Sequence, residues 1–216
     1  MRMRMDWIPA SAAAFVTGAM ALTFGSLLLP ASSSTAGTLR VVRNDDGRWL
    51  AAAVIFFIAS VSLTLGLPAA MSLFDRRGRT LGMVSAVVLA VGFLGTAGYS
   101  MLIVFFRAIA LETSLKPAEL DKAVHDAGLT IFLYGWIAGF YLGELLLAIA
   151  LLRAGTTQRW VPLVLIAHVA TLAFSSFLPH ELSSVLVLLV AVGFAGVAIE
   201  AVGRDNERRK ASPVTL

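Results

Sequence analysis

The stretch Leu129–Leu152 reads LTIFLYGWIAGFYLGELLLAIALL, and its single charge is Glu144. As a helix rising ~1.5 Å per residue it would cover ~36 Å, more than the ~30 Å hydrocarbon core of a bilayer. A helix apolar on every side belongs in a large core or in lipid. Five further apolar runs share the chain: Trp7–Leu29, Trp49–Phe74, Leu81–Phe106, Trp160–Leu178 and Ser183–Val202. The expected fold is all-α, a polytopic transmembrane bundle of about six spanning helices. It forms one domain over residues 1–216, with 203–216 as a short basic tail.

Composition points the same way. Hydrophobic residues make up 58% of the 216, and charged residues only 14%. A soluble domain carries about 25% charged residues, so little of this chain is suited to water. A net charge of +4 could indicate nucleic acid in a soluble protein. Here the basic residues sit at the ends of the apolar runs, where they set topology, and no basic patch with interleaved aromatics exists. The expected partner is the lipid bilayer, not nucleic acid; a second copy of the chain or other membrane subunits are open alternatives, and no small-molecule substrate can be read. The absence of cysteine excludes disulfides, thiolate metal sites and cysteine nucleophiles.

Arg2 and Arg4 precede an apolar run, as in a signal peptide. Trp7–Leu29 exceeds the usual apolar length of such a peptide, and Ser34-Thr35-Ala36 is a poor cleavage site, so the run reads as a retained helix. Orientation follows from the basic residues. With both termini in the cytoplasm, the inner side holds Arg2 and Arg4; Arg76, Arg77 and Arg79; Arg153 and Arg159; and Arg204, Arg208, Arg209 and Lys210. The outer side holds Arg40, Arg43, Arg48, Arg107, Lys116 and Lys122. Eleven against six favours cytoplasmic termini in a cell (inner or plasma) membrane.

The outer segment Ala31–Arg48, rich in Ser and Thr with a turn signal at Asn44–Gly47, reads as a loop. The other outer segment predicts a short interfacial helix, with Pro117 at its start, Leu120, Val124 and Ala127 on one side and Gly128 as its stop. Asp121 and His125 stand four apart, two ligands without a third, and no metal is expected there.

Catalytic signatures are missing. His180-Glu181 lacks the second histidine of a zinc-protease helix, and neither a Gly-x-Ser-x-Gly elbow nor a phosphate-cradling loop occurs. A transmembrane haem needs opposed histidines, and only His168 lies deep in a span, so no cofactor is expected.

Small residues mark packing faces. Gly135, Gly139 and Gly143 recur every four residues, so one helix could approach closely along that side, within the bundle or in a second copy. Gly92, Gly95 and Gly98 thin the third run similarly. In the second run Ser60, Ser62, Thr64, Gly66 and Pro68 cluster, and Pro68 cannot donate to the Thr64 carbonyl. Broken helices line transporter sites, although neighbours can also re-satisfy such a kink.

Asp75-Arg76-Arg77-Gly78-Arg79, between the second and third runs, resembles the Asp-Arg-x-Gly-Arg core of a loop signature in major facilitator transporters, and sits in the corresponding loop. Met71 stands where that family has glycine, and six spans are half of such a transporter. The resemblance, limited to these residues, implies transport. Read without it, the turn is a basic cytoplasmic loop that fixes topology.

Glu144 and His168 carry the sharpest expectation. Each lies nine residues from a basic residue at the inner end of its own helix, Arg153 and Arg159 respectively. That places both ~13–14 Å into the membrane, near its midplane. A midplane carboxyl costs about 2.5–3.5 kcal/mol on insertion scales, so it needs a partner. Glu200, one turn before Arg204, is expected to pair with it instead. Two main readings stay open: a structural or accessory membrane protein held together by Glu144–His168, or a small proton-linked transporter or channel using that pair with Thr64 and Pro68. An intramembrane enzyme or cofactor carrier is a third. The transport reading requires a water-filled cavity reaching Glu144; the structural one requires a dry, packed pair.

Overall fold

A computed structural model describes residues 7–29, 34–112, 116–174 and 186–211. Among them are eight helices and no strand: α1 Trp7–Leu28, α2 Thr35–Asn44, α3 Asp46–Met71, α4 Arg79–Glu112, α5 Pro117–Val124, α6 Ala127–Ala154, α7 Trp160–Phe174 and α8 Leu188–Ala211. The protein is an all-α bundle. Four helices, α1, α3, α4 and α6, are long and apolar enough to cross a membrane, and α7 is a shorter apolar helix. The expected boundary between the runs Trp160–Leu178 and Ser183–Val202 lies outside the described residues, as do His180 and Glu181.

The long helices pack in a ring. α1 lies on α3, α3 on α4, α4 on α6, α6 on α7 and α7 on α8, and α8 returns to α1. Phe15, Phe93, Phe140 and Phe194, from α1, α4, α6 and α8, meet inside the ring. Their ring centroids lie 4.7 Å apart for Phe15–Phe194 and 5.9 Å apart for Phe93–Phe140, so the centre is filled rather than open.

Sizes are sorted in the direction lipid favours. Alanines such as Ala19, Ala52, Ala59, Ala69, Ala148 and Ala150 are fully buried, while Ile131 is 74%, Ile199 67% and Val87 66% exposed. Water would penalise that exterior, whereas acyl chains do not, and small residues inside let backbones come close. The tightest approaches occur at glycine. A Cβ on Gly18 would meet the Leu63 backbone nitrogen at 2.6 Å, and one on Gly66 would meet the Phe15 Cα at 2.6 Å.

The expected glycine face of α6 is used unevenly. A Cβ on Gly143 would meet the Leu89 nitrogen at 2.7 Å, Gly139 makes only ordinary contact with α4, and Gly135 has nothing within 4 Å. The close contacts farther along come from α4, where Gly92 lies against Phe140 and Gly95 against Trp136. Gly143→Ala is therefore expected to destabilise the protein by about 1–2 kcal/mol through overpacking, and Gly135→Ala to be neutral or slightly stabilising. Thermal unfolding in detergent would check this; equal effects at both positions would contradict the packing.

Several expectations at the helix ends need correction. Ala31–Arg48 is not simply a loop, because α2 occupies most of it. The Ser34 side chain accepts from the Gly37 nitrogen at 3.1 Å as an N-cap, and Leu39 and Val42 are buried beside Trp49 and Leu120. The helix begun at Pro117 stops at Val124, and Gly128 is not its stop. Asp126 instead caps α6, accepting from the Leu129 nitrogen at 2.9 Å. Arg107 lies within α4, not in a loop, and pairs with Asp46 at the start of α3. The basic tail is helical as far as Ala211, with Asp205 and Arg209 paired four residues apart at 2.8 Å.

Candidate functional site

Helix α6 ends at Gly155, whose φ of +63° is the left-handed stop natural to glycine. A short linker then turns the chain into α7, which packs beside α6. Glu144 and His168 face one another across this junction. Nδ1 of His168 lies 2.8 Å and 3.0 Å from the two carboxylate oxygens of Glu144. Glu144 is 0% exposed and His168 5%.

Aromatic rings hold the imidazole in place. Tyr141 stacks on it with centroids 5.4 Å apart, and Phe140 meets it edge-on at 6.5 Å. Tyr141 is three residues before Glu144, so the helix presents both to α7; that i, i+3 spacing was the signal available in the sequence. The Thr171 hydroxyl donates to the His168 carbonyl at 2.6 Å.

The two halves of this pair see different surroundings. His168 lines a cavity of about 620 Å³ that also touches Ser26, Thr96, Tyr99, Trp136 and Tyr141, and Glu144 is not part of its wall. Other interior hydroxyls are spent on backbone: Ser85 donates to Gly82 at 2.8 Å, Thr96 to Gly92 at 3.2 Å and Ser100 to Ala97 at 2.7 Å. Ser60 donates across to the Phe93 carbonyl.

Thr64 and Pro68 are not part of this arrangement, and neither lines that cavity. Thr64 donates to the Ser60 carbonyl at 2.8 Å. Helix α3 continues through Pro68 to Met71. The Ser11 hydroxyl of α1 donates to the Leu65 carbonyl at 2.8 Å and accepts from the Ala69 nitrogen at 3.0 Å. It therefore bridges the i to i−4 step that spans the proline, a role the sequence did not single out for Ser11. The expected break in the second span is closed by a neighbour.

The turn 75–79 also has a local purpose. Asp75 accepts from Arg204 and, at 2.6 Å, from Arg208, and Arg204 donates to the Leu73 carbonyl at 2.6 Å. Gly78, at φ +75°, lies so close to α6 that a Cβ would meet the Ala150 carbonyl oxygen at 2.8 Å. Arg204 thus serves Asp75 and not Glu200, which accepts from the Gln158 nitrogen at 3.2 Å. Among the described residues no group of three metal-ligating side chains occurs, at Asp121 and His125 or elsewhere.

Long apolar helices, a lipid-suited exterior and a buried ionisable pair together mark a membrane protein. No protein-family model matches the chain, and no curated protein or solved structure is similar to it.

Proposed function

We propose that the protein is a structural or accessory component of a cell membrane in which Glu144–His168 locks α6 to α7. The observation that carries this reading is the burial of Glu144: it is 0% exposed, and His168 stands beside both of its oxygens. A carboxyl that moves protons needs a wet path, and the buried hydroxyls of Ser60 and Thr96 are turned onto backbone carbonyls instead. Proteoliposomes containing the protein are expected to be as proton-tight as empty ones between pH 5 and 8. A pH-driven flux that Glu144→Gln abolishes would overturn the accessory role.

Proton-linked transport is the second reading, and the cavity at His168 favours it. The same flux measurement separates the two. Both termini lie in the cytoplasm on this reading. The basic turn 75–79, Arg204 and Arg208 gather at one end of the bundle, in keeping with the excess of basic residues assigned there. A periplasm-active reporter is expected to work when fused after Thr38 and to be silent after Leu216; the reverse pattern would invert the orientation.

A further inference from the structure

We propose that the cavity at His168 binds the flat, carbonyl-bearing ring of a lipid-soluble molecule of the quinone class. The inference does not rest on the accessory role; it rests on what lines this space. At about 620 Å³ the cavity is within the size range of small-molecule sites, which are mostly apolar with a few placed polar groups. Its walls carry Tyr99, Trp136, Phe140 and Tyr141, surfaces that stack against a planar ring.

The polar groups decide the ligand's chemistry. Nδ1 of His168 is taken by Glu144, so Nε2 is the nitrogen left for the cavity. A net charge on a buried pair is strongly disfavoured in a membrane, so the two groups together hold one titratable proton. Whether that proton sits on Nδ1 or on the carboxyl, Nε2 keeps its own hydrogen and is a donor. The ring of Trp136 forms part of the wall, with its Nε1 closed off from the open space. One donor set among stacking surfaces suits a planar ring that bears a carbonyl.

Other ligand classes fit less well. Glu144 is buried and paired, and among the described residues no other carboxylate lines the cavity to attract a cation. Nor does a described Lys or Arg line it to offer an anion a counter-charge. A second cavity of about 630 Å³, bordered by the same Tyr99, Val124 and Leu133, is walled by Leu102, Ile103, Phe106 and Ile109 and gives an apolar tail somewhere to lie.

Thermal unfolding of the full-length protein in nanodiscs tests the proposal, because a ligand that binds only the folded state raises Tm as its concentration rises. Oxidised decylubiquinone is expected to raise Tm saturably, and decylbenzene, of similar apolar character but without carbonyls, to leave it unchanged. Trp136→Leu removes one stacking surface and is expected to weaken the quinone effect by up to about tenfold. Ser26→Phe pushes a ring into the cavity without touching the Glu144–His168 pair and is expected to weaken the effect. Equal shifts with both compounds would overturn the proposal in favour of a void that accepts any acyl chain. No shift with decylubiquinone, or a full shift in Ser26→Phe, would overturn it as well.

Discussion

His168→Leu is expected to destabilise the folded protein by about 3–5 kcal/mol if Glu144 stays ionised, and by about 1–3 kcal/mol if the stranded carboxyl takes up a proton. Leucine has nearly the volume of the imidazole but no hydrogen-bonding group. Glu144, at 0% exposure, would be left without the side chain that stands at both of its oxygens. Glu144→Gln should be mild, because the amide still offers an oxygen and an N–H to the imidazole and removes a buried charge. The double variant Glu144→Leu/His168→Leu should recover much of the loss, since an apolar pair of similar size needs no partner. Chemical unfolding of the wild type, Glu144→Leu, His168→Leu and the double variant in mixed micelles gives the coupling directly. Additive single effects would show that the two residues do not depend on each other.

The depth of this pair was legible because it depends only on counting. Nine residues from Arg153 and nine from Arg159, with a short linker, place two side chains at one level on adjacent helices. Which way each side chain points, and which of them meets a cavity, depends on helix rotation about its axis, and that is set by neighbours. Apolar runs with little amphipathic bias carry almost no information about it. The same limit explains Gly135, Gly139 and Gly143. Their spacing defines a stripe correctly, but α4 crosses it at Gly143 and leaves Gly135 open.

The misreading of Ala31–Arg48 has a different origin. Ser34 as a cap, with Leu39 and Val42 three apart, is a helix signal that Ser and Thr richness and the Asn44–Gly47 turn mask. Helix α2 is held by tertiary contacts: Arg43 donates to the Ala110 carbonyl at 3.0 Å, and Thr35 donates to Asp121 at 3.3 Å. A ten-residue helix is marginal alone and depends on such packing. The partner of Glu200 is hidden for a comparable reason. Its i, i+4 partner Arg204 reaches Asp75 and the Leu73 carbonyl on another element, a contact invisible along the chain.

Ser11→Ala is the second substitution expected to have a large effect, about 2–4 kcal/mol, because one hydroxyl serves two buried backbone groups. It donates to the Leu65 carbonyl and accepts from the Ala69 nitrogen, on either side of a proline that cannot complete its own link to Thr64. In water such groups would find solvent; in the interior of this bundle they would find none. Ser11 and Gly66 belong to the same close contact between α1 and α3, where Phe15 lies against Gly66, so the helices have little freedom to shift and compensate. If Pro68 is the reason the hydroxyl is needed, removing the proline should remove the need. Pro68→Ala lets α3 close its ladder, and Ser11→Ala in that background is expected to cost less than about 1 kcal/mol. The cycle of Ser11→Ala, Pro68→Ala and the double variant, followed by thermal unfolding in detergent, measures that coupling. An equal loss on Ser11→Ala with and without Pro68 would mean that the hydroxyl supports α1–α3 packing alone and not the proline step.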